Sequence, residues 1–137
     1  MTGDGEHRHR IRVRYCETDR MGVAHHMNYV AWFEEARTEW MRARGRTYRE
    51  MEDEGLLLQV VGLTAEYRSS VTYDDDIVVT TRLAERRKVA VTLAYDVHRA
   101  DDGRLVARGT TTLACVDRGG RVRRLPGWLE SSADSVP

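Results

Sequence analysis

The chain has 137 residues, 41% of them hydrophobic and 32% charged, which fits one globular domain. Lys and Arg number 22, and Asp and Glu also number 22. This balance disfavours proteins that coat nucleic acids, because these carry a basic excess. No apolar run approaches the ~18 residues of a membrane span, and the polar start MTGDGEHRHR lacks the apolar stretch of a signal peptide. We therefore expect a cytoplasmic protein in which both cysteines, Cys16 and Cys115, are reduced.

The first half of the chain is predicted to form a strand and one long helix. Residues 1–9 and 131–137 are polar and are predicted to be a flexible arm and a flexible tail, which leaves one domain over residues 10–130. Residues 11–15 alternate between apolar and polar, as a half-buried strand does. A helix that ends before Gly45 is predicted over residues 27–44, because apolar side chains recur at helical spacing: Tyr29, Phe33, Ala36, Trp40 and Ala43.

From Leu56 onward the hydrophobic period changes to two, which predicts strands. The alternation is clearest over residues 63–67, 77–83, 89–97 and 105–116, and Asp101-Asp102-Gly103 supplies a turn before the last of these. A strand, a long helix and about four antiparallel strands indicate an α+β fold, in which one face of the sheet covers the apolar stripe of the helix.

The loop between the first strand and the helix carries the residues with the clearest chemical use. This loop contains Asp19, and its Gly22 permits a tight turn. His26 follows, near the predicted start of the helix. The first amides of a helix have no internal partners and carry partial positive charge, so they can stabilise an oxyanion. A carboxylate beside them could attack a carbonyl carbon or deprotonate a water molecule. A thioester suits this arrangement, because its thiolate leaves with little help from an acid.

Several motifs in this chain resemble those of one known family. They are TDxxGV at residues 18–23, HxxY at 26–29 and FEEAR at 33–37, supported by YDD at 73–75, CVD at 115–117 and Leu125-Pro126. Together they resemble the 4-hydroxybenzoyl-CoA thioesterase-like family, and most closely its bacterial short-chain acyl-CoA thioesterase branch, which is often encoded beside the Tol-Pal system. The resemblance implies a hot-dog fold, in which a curved antiparallel sheet wraps a long central helix.

The resemblance also implies roles for individual residues. Asp19 matches the family aspartate that acts as nucleophile or general base, and His26 matches the position whose backbone amide binds the thioester oxygen. The residues expected to contact the substrate are Val23, Ala24, His25, Met27 and Tyr29. Family members are homodimers or homotetramers with active sites between subunits, and no cofactor is expected beyond the coenzyme A of the substrate. Glu17 and His25 depart from the family's usual aspartate and aromatic residue, which leaves acyl specificity open.

A basic cluster, Arg86-Arg87-Lys88, is predicted to bind the phosphates of coenzyme A. Arginine forks and lysine point charges both suit phosphate groups, and family members resemble each other in placing basic residues near this strand at the subunit interface. The alternative is a solvated hairpin end. Weaker candidates for contacts from the neighbouring strand are Tyr67, Arg68 and Ser69.

Other clusters of polar residues are assigned structural roles. A metal site is not predicted, because adjacent histidines rarely face the same ion and no HxxxH spacing occurs among the candidates Cys16, Asp19, His25 and His26. Glu35 and Glu39 are four residues apart on the predicted helix and are assigned to a solvated face.

The predicted function is hydrolysis of an acyl-CoA thioester to a free acid and coenzyme A. Two alternatives stay open: a hot-dog enoyl thioester hydratase, and a non-catalytic module that binds acyl-CoA or an acyl carrier. The products separate them, because hydrolysis releases a thiol, hydration consumes an enoyl group without releasing one, and a binding module does neither.

Overall fold

The computed structural model describes residues 5–127 and residue 129. Its elements in chain order are β1 (His7–Arg12), a 3-10 turn (Tyr15–Glu17), α1 (Met27–Ala43), α2 (Tyr48–Asp53), β2 (Leu56–Tyr67), β3 (Asp76–Arg86), β4 (Ala90–Arg99) and β5 (Leu105–Asp117). None of the helices in this described part is long and apolar enough to cross a membrane.

The strands form one five-stranded sheet with the order β1-β3-β4-β5-β2, and every neighbouring pair is antiparallel. The sheet therefore has β1 and β2 as its two edges. At one end, called here the helix-start end, the hydroxyl of Tyr67 at the end of β2 donates to the carbonyl of His26 just before α1. The opposite end, called here the hairpin end, contains the turn between β3 and β4.

Helix α1 packs its apolar stripe against the sheet, and the core lies between them. Tyr29, Phe33, Ala36 and Trp40 are buried as predicted, whereas Ala43 in the last turn is exposed. The ring of Phe33 stacks on Tyr95 of β4 with 4.5 Å between centroids. Further residues of α1 that are buried are Trp32, Arg37 and Met41.

Most element predictions agree with the structure, but the first strand is placed differently. β1 begins at His7 and ends at Arg12, so residues 7–9 belong to an edge strand and not to an arm, and Tyr15 lies in the 3-10 turn. The cause is that β1 alternates between histidine or isoleucine and arginine, a pattern that looks polar throughout. Residues 1–4 of the predicted arm and the predicted tail, residues 131–137, lie outside the described residues.

Candidate active site

The loop that carries Asp19 is a tight turn held by its own backbone. The N–H of Asp19 donates to the carbonyl of Val23, and the N–H of Gly22 donates to the carbonyl of Asp19, both at 2.9 Å. Oδ1 of Asp19 accepts a hydrogen bond from the N–H of Met21 at 2.8 Å. Gly22 has a φ of 82°, a conformation that favours glycine. The turn therefore presents the Asp19 carboxylate at its tip.

This loop leads directly into the start of α1 and is fixed on both sides. Thr18 and Ala24 form an antiparallel bridge across the loop, and Val23 forms another with Thr72. The N–H of Ala24 donates to the carbonyl of Val71 at 2.8 Å. The segment between Asp19 and the helix is thus tied to the chain between β2 and β3, at the helix-start end of the sheet.

The start of α1 has one backbone donor without an acceptor in the described part of the chain. His26 is the N-cap residue, its own side chain makes no capping hydrogen bond, and the first turn contains no acidic residue. The N–H of Met27 donates to Nδ1 of His25 at 3.1 Å, and that of Asn28 donates to the carbonyl of His25 at 3.0 Å. No described residue accepts a hydrogen bond from the N–H of His26. A free amide at the positive end of a helix is suited to bind a developing oxyanion.

Aromatic rings cluster at the start of α1. The rings of His25 and His26 stack at 4.2 Å, and Tyr67 meets His26 edge-on at 6.3 Å and Tyr29 at 5.1 Å. Burial, with a smaller contribution from Tyr67, raises the pKa of Tyr29 to about 12. Met27 is exposed beside this cluster. Of the predicted substrate contacts, Ala24 and Tyr29 are buried, and the others reach the surface to differing degrees.

The acidic and cysteine residues of the loop differ in their surroundings. Within residues 5–127 and 129, no basic side chain forms an ion pair with Asp19, and no group of three metal-ligating side chains could hold a metal ion. Cys16 is exposed. Glu17, in contrast, is buried and accepts hydrogen bonds from the N–H of Arg14 at 2.8 Å and from the indole N–H of Trp32 at 2.9 Å.

The predicted coenzyme A cluster, Arg86-Arg87-Lys88, lies at the hairpin end of the sheet. β3 begins next to the loop region, where the N–H of Val13 donates to the carbonyl of Asp75, and it ends at Arg86. At about 3.3 Å per residue, a strand of this length separates the two ends by roughly 30 Å. The structure therefore does not bring the basic cluster and Asp19 together within one chain.

Additional basic residues missed by the sequence analysis join this cluster. The N–H of Leu125 donates to the carbonyl of Lys88 at 2.9 Å, so the segment RVRR at residues 121–124 runs alongside the β3–β4 turn. Arg87 pairs with Glu85 at 3.1 Å, and Arg123 pairs with Asp117 at 3.0 Å. The run of arginines after Gly119-Gly120 is the sequence signal that could have identified this second basic segment.

The fold and the loop at the helix start define a class of protein. A long helix packed on a five-stranded antiparallel sheet, with a carboxylate loop before the helix, is the hot-dog arrangement of thioester enzymes. The chain belongs to the Thioesterase-like superfamily, whose sequence profile matches residues 13–133.

Individual proteins with similar sequences and structures agree with this assignment. The chain is 31% identical over 110 residues to the acyl-CoA thioesterase YbgC of Haemophilus influenzae, covering 80% of this chain and 79% of that protein. The structure of the DHNA-CoA thioesterase from Staphylococcus aureus is 30% identical, with a TM-score of 0.89, and the match covers 95% of this chain and 90% of that one.

The fold extends to structures of much lower sequence identity. A 1,4-dihydroxy-2-naphthoyl-CoA thioesterase from Synechocystis is 16% identical, yet has a TM-score of 0.89 over 96% of this chain and 97% of that one. This similarity shows the fold alone, and it confirms the predicted hot-dog class.

Proposed function

We propose that the protein is an acyl-CoA thioesterase, in which Asp19 carries the hydrolysis and the N–H of His26 stabilises the oxyanion. The observation that supports this most is the loop itself. It holds a carboxylate that forms no ion pair with any described residue, in the segment leading to a helix start where the N–H of His26 has no described acceptor. The acyl-CoA thioesterases with similar sequences support the substrate class. The finer assignment, to the branch encoded beside the Tol-Pal system, rests on the motif resemblance and is part of the same proposal.

Two routes fit the proposed residues, and both conserve atoms and charge. In one, a carboxylate oxygen of Asp19 bonds to the acyl carbon as the C–S bond breaks and releases the thiolate. Water then cleaves the resulting anhydride to the free acid and the Asp19 carboxylate, and the remaining proton goes to the thiolate. In the other, Asp19 takes a proton from water as the hydroxide attacks the carbonyl, and the thiolate leaves and is protonated. In both routes the carbonyl oxygen gains negative charge, which the N–H of His26 and the helix dipole would stabilise.

The acyl group is proposed to lie beside the start of α1. The residues proposed to line this binding region are Val23, Ala24, His25, Met27 and Tyr29. Tyr67 of β2 extends its aromatic side. With a pKa of about 12, Tyr29 stays neutral across any ordinary assay pH. The proposal includes no cofactor and a cytoplasmic location.

We further propose that the active enzyme is an oligomer in which two copies join along β2. This edge strand spans Leu56–Tyr67 and carries apolar side chains that are largely exposed: Val60 45%, Val61 59%, Leu63 43% and Tyr67 47%. An unpaired edge with exposed apolar side chains is a template for another strand. A two-fold axis at this edge would place the hairpin end of one copy near the helix-start end of the other.

This arrangement would resolve the position of the basic cluster. Neighbouring strands lie about 4.8 Å apart. Counted from the shared edge, the partner's β4 is the third strand, and the partner's β3–β4 turn lies at its end. Arg86, Arg87 and Lys88 of one copy would then bind coenzyme A phosphates at the site formed by Asp19 of the other. The RVRR segment at residues 121–124 adds to the same positive surface.

The substitution Asp19→Asn tests the central assignment. It keeps the size of the side chain and the acceptor oxygen for the N–H of Met21, but it removes the base or nucleophile. We expect kcat for acyl-CoA hydrolysis to fall about 100-fold or more, measured by thiol release. Asp53→Asn, at an exposed position of α2, is the matched control and should retain full activity. Turnover by Asp19→Asn within a few-fold of the wild type would refute the role of Asp19.

The same assay on the wild type separates the alternative functions. Thiol release from acetyl, medium-chain, long-chain or aromatic acyl-CoA supports a hydrolase and also reports acyl preference. Loss of enoyl absorbance without thiol release would instead identify a hydratase. Binding of acyl-CoA without turnover across the whole panel would identify a binding module.

A further inference from the structure

Glu17 is a buried acid two residues before Asp19, and its side chain is only 6% exposed. Burying a carboxylate is costly unless hydrogen bonds or charges compensate it. Here Oε1 accepts from the N–H of Arg14 at 2.8 Å, and Oε2 accepts from the indole N–H of Trp32 at 2.9 Å. The guanidinium of Arg14 lies 3.3 Å from Oε2. Both oxygens therefore accept hydrogen bonds within the chain, and burial keeps the carboxylate away from a substrate at the surface.

The side chain of Glu17 links the loop to α1. Trp32 lies in the second turn of α1 and is 1% exposed, so its indole is fixed by the core. A charge-assisted hydrogen bond in a buried environment is stronger and more directional than one at the surface. The bond between Glu17 and Trp32 thus fixes the distance from the loop to the body of the helix.

The backbone of Glu17 links the loop to the first residues of α1. Its carbonyl accepts from the N–H of His25 and from Nδ2 of Asn28, both at 2.8 Å. Glu17 therefore joins the beginning of the segment 17–28 to its end. This segment contains both Asp19 and His26. Neither of these two residues makes a direct hydrogen bond to the other.

We propose that Glu17 is the positioning residue of the active site, which sets the separation between the Asp19 carboxylate and the N–H of His26. This inference rests on the proposed thioesterase function. It assigns a role to the residue at which the chain departs from the family's usual aspartate. The Glu17 carboxylate accepts from the indole of Trp32 while its backbone carbonyl accepts from His25 and Asn28.

The test is Glu17→Gln, analysed with Trp32→Phe and the double variant. A glutamine can still accept from the N–H of Arg14, but its NH₂ group faces the indole N–H, so two donors oppose each other. Because displacement of a reacting group by about 1 Å can cost 100-fold in rate, we expect kcat to fall about 10- to 100-fold, with KM changed less than about threefold. Trp32→Phe removes the same hydrogen bond and keeps an aromatic ring. The double variant should therefore be no slower than Glu17→Gln alone.

Thr111→Val is the matched control for loss of a buried hydrogen bond. Thr111 is 1% exposed and its hydroxyl lies 2.6 Å from that of Tyr95, within the sheet. This variant should lower Tm without lowering kcat at temperatures where it is folded. If folded Glu17→Gln keeps kcat within threefold of the wild type while its Tm falls, as expected for Thr111→Val, the positioning role is overturned. If Glu17→Gln does not fold, retention of kcat by Trp32→Phe overturns it equally.

The failure of this inference differs from a failure of the proposed function. A wild type that releases no thiol from any acyl-CoA would overturn the function itself. An active wild type with an equally active, folded Glu17→Gln variant would overturn only the role of Glu17. A non-hydrolysable thioether analogue of acyl-CoA provides the second readout, since its Kd should be unchanged in Glu17→Gln.

Discussion

Glu17 and Asp19 are carboxylates two residues apart, yet their surroundings suit them to different tasks. Glu17 is buried and both of its oxygens accept hydrogen bonds. Asp19 is half-buried, and among the described residues its carboxylate accepts a hydrogen bond at Oδ1 alone, from the N–H of Met21. A carboxylate that must attack a carbonyl or take a proton needs a free oxygen. These surroundings support the proposal that Asp19 is the reacting group and that Glu17 positions it.

The protonation of Glu17 leads to a prediction about stability at acid pH. Burial alone raises the pKa of Glu17, but the hydrogen bonds from Arg14 and Trp32 outweigh burial and hold it below its usual value. A group whose pKa is lowered by folding adds stability above its unfolded pKa, and this contribution is lost as pH falls through the folded pKa.

We expect the difference in free energy of unfolding between the wild type and Glu17→Gln to have its largest value at pH 7. It should shrink as the pH falls below about 4, near the pKa of an unfolded glutamate. Urea denaturation followed by circular dichroism at pH 7, 5, 4 and 3 measures this difference. A difference that stays constant from pH 7 to pH 3 would show that the ionised carboxylate does not contribute.

Sequence reasoning proposed Asp19 and His26 as the reacting residues, but it did not point to Glu17, the residue that we propose positions them. Asp19 and His26 stand in a motif whose spacing indicates a use at a helix start. Glu17 lies in a run of polar residues and looks solvated, because its hydrogen bond to Trp32 joins positions 15 residues apart in the chain. Burial of this kind is produced by packing of the loop on α1, which hydrophobic periodicity does not report.

At the scale of the elements, the contact between α1 and β5 depends on a residue without a side chain. Gly109 lies under the ring of Phe33, and a Cβ built there would be 2.6 Å from Cε2 and 2.8 Å from Cζ of that ring. The same Cβ would also overlap the carbonyl oxygen of Thr64 on β2. Neither the buried ring nor the strand backbone can move easily, so glycine at this position sets how closely the helix approaches the sheet.

Gly109→Ala should therefore destabilise the fold by about 1–3 kcal/mol, as overpacking of a core does. Gly62→Ala on β2 is the matched control, because its Cβ would meet only the side chain of Thr112, at an ordinary 3.6 Å. We expect this control to change stability by less than about 0.5 kcal/mol. Urea denaturation of the two variants measures both effects. Equal stabilities of the two variants would show that the helix can shift to accommodate a methyl group.

The elements were predicted well where one face is buried and less well at the edges of the sheet. The helix has an apolar stripe at helical spacing, the central strands β3, β4 and β5 largely alternate, and all four elements were placed within a few residues. β1 was displaced because its outward side chains are all arginine. Leu63 and Tyr67 follow the period of a buried face but are exposed, because β2 has a neighbour on only one side.

At the scale of the whole molecule, the two edges of the sheet differ in chemistry. β1 presents Arg8, Arg10 and Arg12 on alternate positions, and charged side chains protect an edge strand from pairing with another chain. β2 exposes apolar side chains along most of its length. This contrast favours β2 over β1 as the edge that joins two copies. It also explains why the roughly 30 Å between Asp19 and the basic cluster, estimated from strand length, does not exclude a shared site.

A shared site can be tested by mixing two inactive variants. One carries Asp19→Asn, and the other carries Arg86→Ala, Arg87→Ala and Lys88→Ala together. In a mixed dimer, the site with an intact Asp19 receives its basic cluster from the Asp19→Asn chain. One of the two sites of the mixed dimer is therefore complete, and the other lacks both groups. Co-refolding equal amounts should therefore restore about a quarter of wild-type activity at subsaturating acyl-CoA, since half of the dimers formed are mixed. The same mixture carrying Val61→Lys on both chains is the control, because a charge on the β2 edge should prevent pairing. Activity no higher than the mean of the two parents, in a mixture shown to exchange subunits, would mean that each chain binds coenzyme A with its own residues.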